Sequence, residues 1–189
     1  MNLDQDPGFI VDFLPETDRV VLSGRSDERQ LAVIAAKYPR IVGVPSASNL
    51  GFAAGVNLAA RRAQAPFLLL LNPDTIVEGP VLSEMEAWLH ADPHTVVVGP
   101  RVRNCDGTTQ PSARSFPGLS TVFGGRSTWV TKRHPNNWWS RRNLLGLDSA
   151  TALHVDWIAG SCLMTRREVF ERVGGLDEAF FLYWEDADY

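Results

Sequence analysis

The run Phe67-Leu68-Leu69-Leu70-Leu71, followed at once by Asn72-Pro73-Asp74, constrains this chain more than any other stretch. So short and unbroken an apolar run reads as a strand buried on both faces, and such strands belong to sheets with helices packed on either side. In open sheets of that kind, ligands gather outside the carboxyl ends of the strands. Asp74, on the turn at that end, is therefore the first candidate for chemistry. The same residues also suit a plain turn, with Asn72 and Pro73 starting it and Asp74 capping the helix that follows.

The rest of the chain repeats the rhythm. Arg19 to Leu22 reads as a strand, Asp27 to Lys37 as a helix capped by Ser26, and Ile41 to Val44 as a second strand. Phe52 to Ala65 is Ala-rich and helical, Val81 to His90 starts a helix behind Pro80, and Thr95 to Val98 returns as strand. Strands alternating with helices at this pitch imply βαβ units and a mainly parallel sheet. Residues 100–154 lose the rhythm and carry Pro, Gly, Ser and Asn throughout, which marks a long excursion within one domain spanning 1–189. Beyond it, Val155 to Ala159 and Ser161 to Thr165 read as strand on either side of Gly160, and Arg166 to Val173 as a helix stopped by Gly174 and Gly175.

A chain of 189 residues, 44% hydrophobic and 21% charged, has the makings of one ordinary globular core and not of a disordered or fibrous segment. Cys105 and Cys162 stand far apart with no second thiol nearby, so neither a zinc site nor a disulfide framework is expected, and the default compartment is the reducing cytoplasm. The acidic start, Met1 to Pro7, does not resemble a signal peptide, and no stretch is long and apolar enough to span a bilayer. His90, His94, His134 and His154 share no ligand spacing.

The net charge of −4 hides an asymmetry. No acid falls between Asp106 and Asp148, an interval that holds Arg114, Arg126, Lys132, Arg133, Arg141 and Arg142 with Trp129, Trp138 and Trp139 among them. Basic residues interleaved with Trp suit phosphates or lipid headgroups, and residues 126–142 are the candidate for peripheral membrane contact. A solvated loop fits the same composition. Nucleic acid is not expected as a partner, because the chain as a whole is acidic and the basic residues form no reader motif.

Asn49-Leu50-Gly51-Phe52-Ala53-Ala54-Gly55-Val56-Asn57 sets two glycines and two asparagines at a strand-to-helix junction, where backbone N–H groups can approach an anion. It lacks the spacing of a dinucleotide fingerprint and the Gly-Lys of a P-loop. Helix packing through small residues is the alternative. Asn49 to Asn57, Asn72-Pro73-Asp74, Asp106-Gly107 with Gln110, Ser112, Arg114 and Phe116-Pro117, Gly160-Ser161-Cys162-Leu163, and Gly174-Gly175-Leu176-Asp177 with Glu185-Asp186-Ala187-Asp188 then follow in one order. That order, from about Val20 to Tyr189, resembles the family 2 glycosyltransferases, and within them the bacterial rhamnosyltransferase-like branch.

The resemblance implies an α/β fold of the GT-A, Rossmann-like type, with helices on both faces of the sheet. It implies inverting transfer of rhamnose or a similar sugar from a nucleotide diphosphate donor to a hydroxyl of a lipid-linked saccharide, in cell-wall or O-antigen synthesis at the inner face of the membrane. Asn72-Pro73-Asp74 is similar to the family's D-x-D variant, with Asp74 as the ligand of Mg²⁺ or Mn²⁺. Hard divalent ions accept one carboxylate plus substrate phosphates. Asn49, Gly51, Phe52, Gly55, Asn57 and Asn72 fall to the donor side. Glu185-Asp186 is similar to the family's Glu-Asp pair, with Asp186 as general base and Glu185 beside it. Trp157, Gly160 and Ser161 fall to the acceptor side, although a core strand would bury Trp157 equally.

Two departures from the family pattern bear on this reading. No counterpart of the usual first strand-and-helix unit is present, leaving the fold incomplete at the N-terminus unless Phe9 to Leu14 takes that strand's place. Ser23 and Gly24 stand where an Asp-Asn pair is expected, and the chain stops just past Asp186. A non-catalytic remnant or partner-binding fragment of such an enzyme is the alternative function.

Overall fold

The computed structural model describes residues 9–13, 19–24, 36–37, 41–46, 48–72, 75–116, 129–134, 151–181 and 184–189. Most of the expected 27–37 helix, its Ser26 cap, Pro73 and Asp74, and all of the 126–142 tract except 129–134 lie outside the described residues. The described chain forms two compact units, one made of 1–98 with 160–189 and the other of 99–159.

The first unit is built on a six-stranded sheet of β1 (Phe9–Phe13), β2 (Arg19–Gly24), β3 (Ile41–Pro45), β4 (Phe67–Leu71), β5 (Val97–Val98) and β10 (Cys162–Arg166), in the order β3-β2-β1-β4-β10-β5. The expectation of a mainly parallel sheet is corrected by the pairings: β2–β3 is parallel, whereas β1–β2, β1–β4, β4–β10 and β10–β5 are antiparallel. β2, β3, β4 and β5 do share one direction, as βαβ units require. The reversal comes from β10 and from β1, which lies between β2 and β4 with Phe9 opposite both Leu22 and Leu71. Phe9 to Phe13 thus takes an interior place in the sheet, but runs against its neighbours.

β4 buries both faces, and strand alternation assigns each face its own partners. Phe67 and Leu69 pack with Cys162 and Met164 of β10 and with Met85 and Leu89 of helix α2 (Val81–Ala91). Leu68, Leu70, Leu163 and Thr165 point the other way and are equally buried. On that face lie helix α1 (Phe52–Ala60) and helix α4 (Arg167–Val173), which with Leu68 line a cavity of about 250 Å³ that includes Ala60 and Phe170. Helices therefore cover both faces of the sheet.

α1 ends at Ala60, five residues short of the Ala65 expected from its alanine content, because the chain must turn through Arg61 to enter β4. Arg166, last in β10, secures the far end of α2. Its guanidinium donates to the carbonyls of Leu89, Asp92 (3.2 Å) and Thr95 (3.1 Å) and lies 5.8 Å over the Phe67 ring. Cations suit a helix C-terminus, where carbonyls lack intrahelical donors. Gly174 ends α4 in the left-handed conformation, as the paired glycines predict.

The second unit contains the short strands β6 (Val102–Arg103), β7 (Thr109–Gln110), β8 (Ala113–Arg114) and β9 (Trp157–Ile158), paired β6–β7 and β8–β9, and helix α3 (Trp129–Arg133). The two strands expected on either side of Gly160 consequently belong to different sheets. No helix among the described residues is long and apolar enough to cross a membrane.

Candidate active site

Because β4 and β10 are antiparallel, the carboxyl end of β4 meets the start of β10, and the loops at that end converge. The N–H of Asn72 donates to the Ser161 carbonyl at 2.9 Å, and the Thr75 hydroxyl reaches the same oxygen at 3.4 Å. The Thr75 N–H closes back on the Asn72 carbonyl at 3.1 Å. Pro73 and Asp74 lie between these two residues in sequence, outside the described residues.

One residue before Ser161, the Gly160 N–H donates to Oδ2 of Asp186 at 2.9 Å. Asp186 belongs to the short helix α5 (Glu185–Asp188). The place a Gly160 Cβ would take lies 3.5 Å from the Asp186 Cβ and 3.7 Å from the Phe52 ring, so Phe52, Gly160 and Asp186 form one contact group. A single peptide, Gly160–Ser161, therefore joins the Asp186 carboxylate to the backbone of Asn72.

Glu185 and Asp186 diverge because they lie on a helical turn. Glu185 is 6% exposed, and its Oε2 has no hydrogen-bond partner among the described residues. Burial pushes its carboxyl above the usual carboxylate range; its own backbone N–H opposes that shift, and neighbouring Asp186 adds to it. Asp186 is half-buried, with its bonded oxygen on Gly160. The turn is entered through Trp184, whose φ of 75° is the only positive value at a non-glycine among the described residues. That conformation costs a bulky residue on the order of 1 kcal/mol, and such strain concentrates at functional sites. Nothing in the sequence signals it.

The remaining expected site residues fall into three groups. Asn49 is exposed, and its Oδ1 accepts the Gly51 N–H at 3.0 Å in a local turn. Gly51 precedes α1, Phe52 and Gly55 open it and Asn57 lies at its middle; Gly55 and Asn57 are buried, and the Phe52 N–H donates to the Phe181 carbonyl at 3.0 Å. Trp157 lies in the second unit, opposite Arg114 across β8–β9, with its indole N–H on the Ser115 carbonyl at 3.2 Å and Arg114 over its ring at 5.4 Å. The sequence reading did not include Phe181 or Tyr189. The Tyr189 hydroxyl lies 2.7 Å from that of Thr165 on β10 and fastens the end of α5 to the sheet.

A family profile described as Glycosyl transferase family 2 matches residues 14–174. The chain belongs to this family. Membership implies the GT-A fold, in line with an α/β sheet that carries helices on both faces. An N-acetylglucosaminyl-diphospho-decaprenol L-rhamnosyltransferase of Mycobacterium tuberculosis is 32% identical over 180 residues, covering 88% of this chain and 57% of that protein. The rhamnosyltransferase WbbL of Escherichia coli is 26% identical over 183 residues, 90% of this chain and 64% of that protein. The low-salt glycan biosynthesis hexosyltransferase Agl10 of Haloferax volcanii is 28% identical over 150 residues, 77% of this chain and 44% of that protein. The family 2 chain described here thus spans little more than half the length of the Mycobacterium relative.

Proposed function

We propose that this family 2 chain carries the catalytic centre of an inverting sugar transferase, moving rhamnose or a similar hexose from a nucleoside diphosphate to a hydroxyl of a lipid-linked saccharide. The observation that carries the proposal is the Asp186 carboxylate held by the Gly160 N–H, one peptide from the Ser161 carbonyl that takes the Asn72 N–H. One oxygen of Asp186 accepts that N–H, which fixes the plane of the carboxylate and leaves the other oxygen to take the proton of the acceptor hydroxyl. The acceptor oxygen bonds to the anomeric carbon from the side opposite the diphosphate as the bond to the diphosphate breaks, so the configuration inverts. Glu185, buried and with its carboxyl shifted upward, supports the α5 turn without touching the substrate.

On the donor side, Asn72 and Thr75 flank Asp74 in sequence, and Asp74 lies outside the described residues. The oxygen-bearing side chains of Asn72, Asp74 and Thr75 are of the type a hard divalent ion such as Mg²⁺ or Mn²⁺ accepts, and Asp74 would hold such an ion together with the donor phosphates. A bound ion supplies charge to offset that of the departing diphosphate. Gly160 and Ser161 are proposed for the acceptor side. The α3 helix, with Trp129 77% exposed and Lys132 and Arg133 in its last turn, suits contact with the anionic cytoplasmic leaflet that would present a lipid-linked acceptor. The names of the Mycobacterium and Escherichia relatives support rhamnose as the sugar.

The test is incubation with dTDP-rhamnose or a UDP-sugar, Mg²⁺ and N-acetylglucosaminyl-diphospho-decaprenol, following release of nucleoside diphosphate. Turnover is expected. Asp186→Asn should lower kcat by about 10²- to 10⁴-fold, the scale of losing a general base, with donor affinity retained. Absence of nucleoside diphosphate release from every donor, together with no donor binding, refutes the proposal.

A further inference from the structure

We propose that Asn57 is a positioning residue for Asp186, and that the front of α1 serves as the anchor of the base-bearing segment in place of the donor-phosphate role its glycines suggest; this rests on Asp186 being the base. Asn57 is 6% exposed in the middle of a helix, where its side chain has low intrinsic preference. Its amide is used on both sides. Nδ2 donates to the Leu176 carbonyl at 2.8 Å and to Oε1 of Glu178 at 3.0 Å, and Oδ1 accepts the Leu176 N–H at 2.9 Å. Both N–H groups of the amide are thereby spent, so Asn57 has no donor left for a phosphate.

Two close approaches show how tightly the 175–181 segment is drawn onto α1. Gly175 has φ +84°, and a Cβ there would meet the Asn57 amide oxygen well inside contact distance. Gly51 has φ +79°, and a Cβ there would lie 2.5 Å from the Phe181 carbonyl oxygen. Each position combines a left-handed backbone with no room for a side chain, which only glycine accommodates. The Phe181 carbonyl also takes the Phe52 N–H, the first donor of the helix that an anion would otherwise find. Gly51 thus admits the protein's own backbone at the point where the sequence suggests a ligand.

The two fastenings, at 176–178 and at 181, precede Asp186 by a few residues, and the Phe52 ring completes the contact group of Gly160 and Asp186. α1 therefore fixes where α5 begins, and with it where the carboxylate sits. Releasing Asn57 should let Asp186 drift from Gly160 while leaving Asn72 and Thr75, which are tied to Ser161, in place.

The experiment compares wild type with Asn57→Asp, which keeps the shape but sets a carboxylate against the Leu176 carbonyl and Glu178. Glu178→Ala is the milder second variant, removing one of the three bonds from an exposed residue. Donor affinity is read by calorimetry with a nucleoside diphosphate and Mn²⁺, turnover by nucleoside diphosphate release, and anchoring by amide hydrogen exchange over 176–189. The expected result is unchanged donor affinity, kcat reduced by about ten- to a hundredfold in Asn57→Asp, the scale of an ångström-level misplacement, and faster exchange over 176–189. A smaller fall is expected for Glu178→Ala.

Donor affinity falling in step with kcat would return Asn57 to the donor site and overturn the proposal. Unchanged exchange over 176–189 in both variants would overturn it as well. A wild type that turns over no sugar nucleotide defeats the transferase reading alone, since the exchange comparison still judges the anchor. Should Asn57→Asp fail to fold, the exchange and kcat of Glu178→Ala carry the decision.

Discussion

The hydroxyl pair Thr165–Tyr189 offers a direct measure of how firmly the base-bearing turn is fastened to the sheet. Thr165 is fully buried on β10, with its Oγ1 2.7 Å from the Tyr189 hydroxyl and 3.2 Å from the Val96 carbonyl. Its single proton goes to Val96, so Tyr189 donates to Thr165. Tyr189→Phe keeps the ring against Phe170, at 5.5 Å between centroids, and deletes one neutral hydrogen bond, a loss of about 1 kcal/mol. Thr165→Val costs more, about 1–2 kcal/mol, because it strands a half-buried Tyr hydroxyl. The Val96 carbonyl loses less, since it keeps the Arg166 N–H at 3.1 Å. In the double variant both partners are apolar, and the cost should fall back toward that of Tyr189→Phe alone, giving a coupling of about 1–2 kcal/mol, the size of the Thr165→Val loss. Urea unfolding of the four proteins reads this, and thermal midpoints should move by about 2–4 °C per kcal/mol for a chain of this size. Additive losses within about 0.3 kcal/mol would mean that the two hydroxyls act independently and that α5 is not tied to β10 as described.

Glu185→Gln tests the buried acid through pH. The folded carboxyl lies above its unfolded value, so the folded protein keeps a proton that the unfolded chain releases; the stability this gives is full below about pH 4 and is lost as pH rises through the raised value. The variant should match wild type near pH 4 and exceed it at neutral pH in urea midpoint, and a wild type that gains on the variant as pH rises would contradict the burial argument. For the proposed membrane contact, removing both charges in Lys132→Ala/Arg133→Ala should weaken co-sedimentation with phosphatidylserine vesicles by about 2 kcal/mol, or thirtyfold. Binding that is indifferent to both charges and to salt argues for a solvated loop instead.

Much of the scaffold was legible because its signals are local. β4 matched its expected ends, α2 starts behind Pro80, and α4 stops at Gly174, each marked by a residue whose backbone preference leaves little choice. The overextended α1 shows propensity yielding to tertiary demand: alanines favour continuing, but the turn into β4 does not allow it. The direction of β1 is unreadable in principle, since five apolar-rich residues pair equally well either way. The pairs β6–β7 and β8–β9, two residues per strand, are too short to leave a period.

At the candidate site, the residue types were visible and their partners were not. Gly51 and Asn57 stood out from their neighbours, yet what they meet, Phe181 and Leu176, lies more than a hundred residues away. The divergence of Glu185 and Asp186 follows from the helical turn they share. Phe181 contributes a main-chain oxygen, which no side-chain pattern can announce.

The interior position of β1 makes it the keystone of the sheet. Its five residues are the only ladder, among the described strands, between the β2–β3 pair and the β4–β10–β5 trio. Were that ribbon to slip out, the halves would part along two raw margins of unsatisfied amides and carbonyls, each a template for a neighbouring molecule's strand. The assembled state of this protein therefore depends on the seating of its earliest described segment, well away in sequence from the carboxylate proposed as the base.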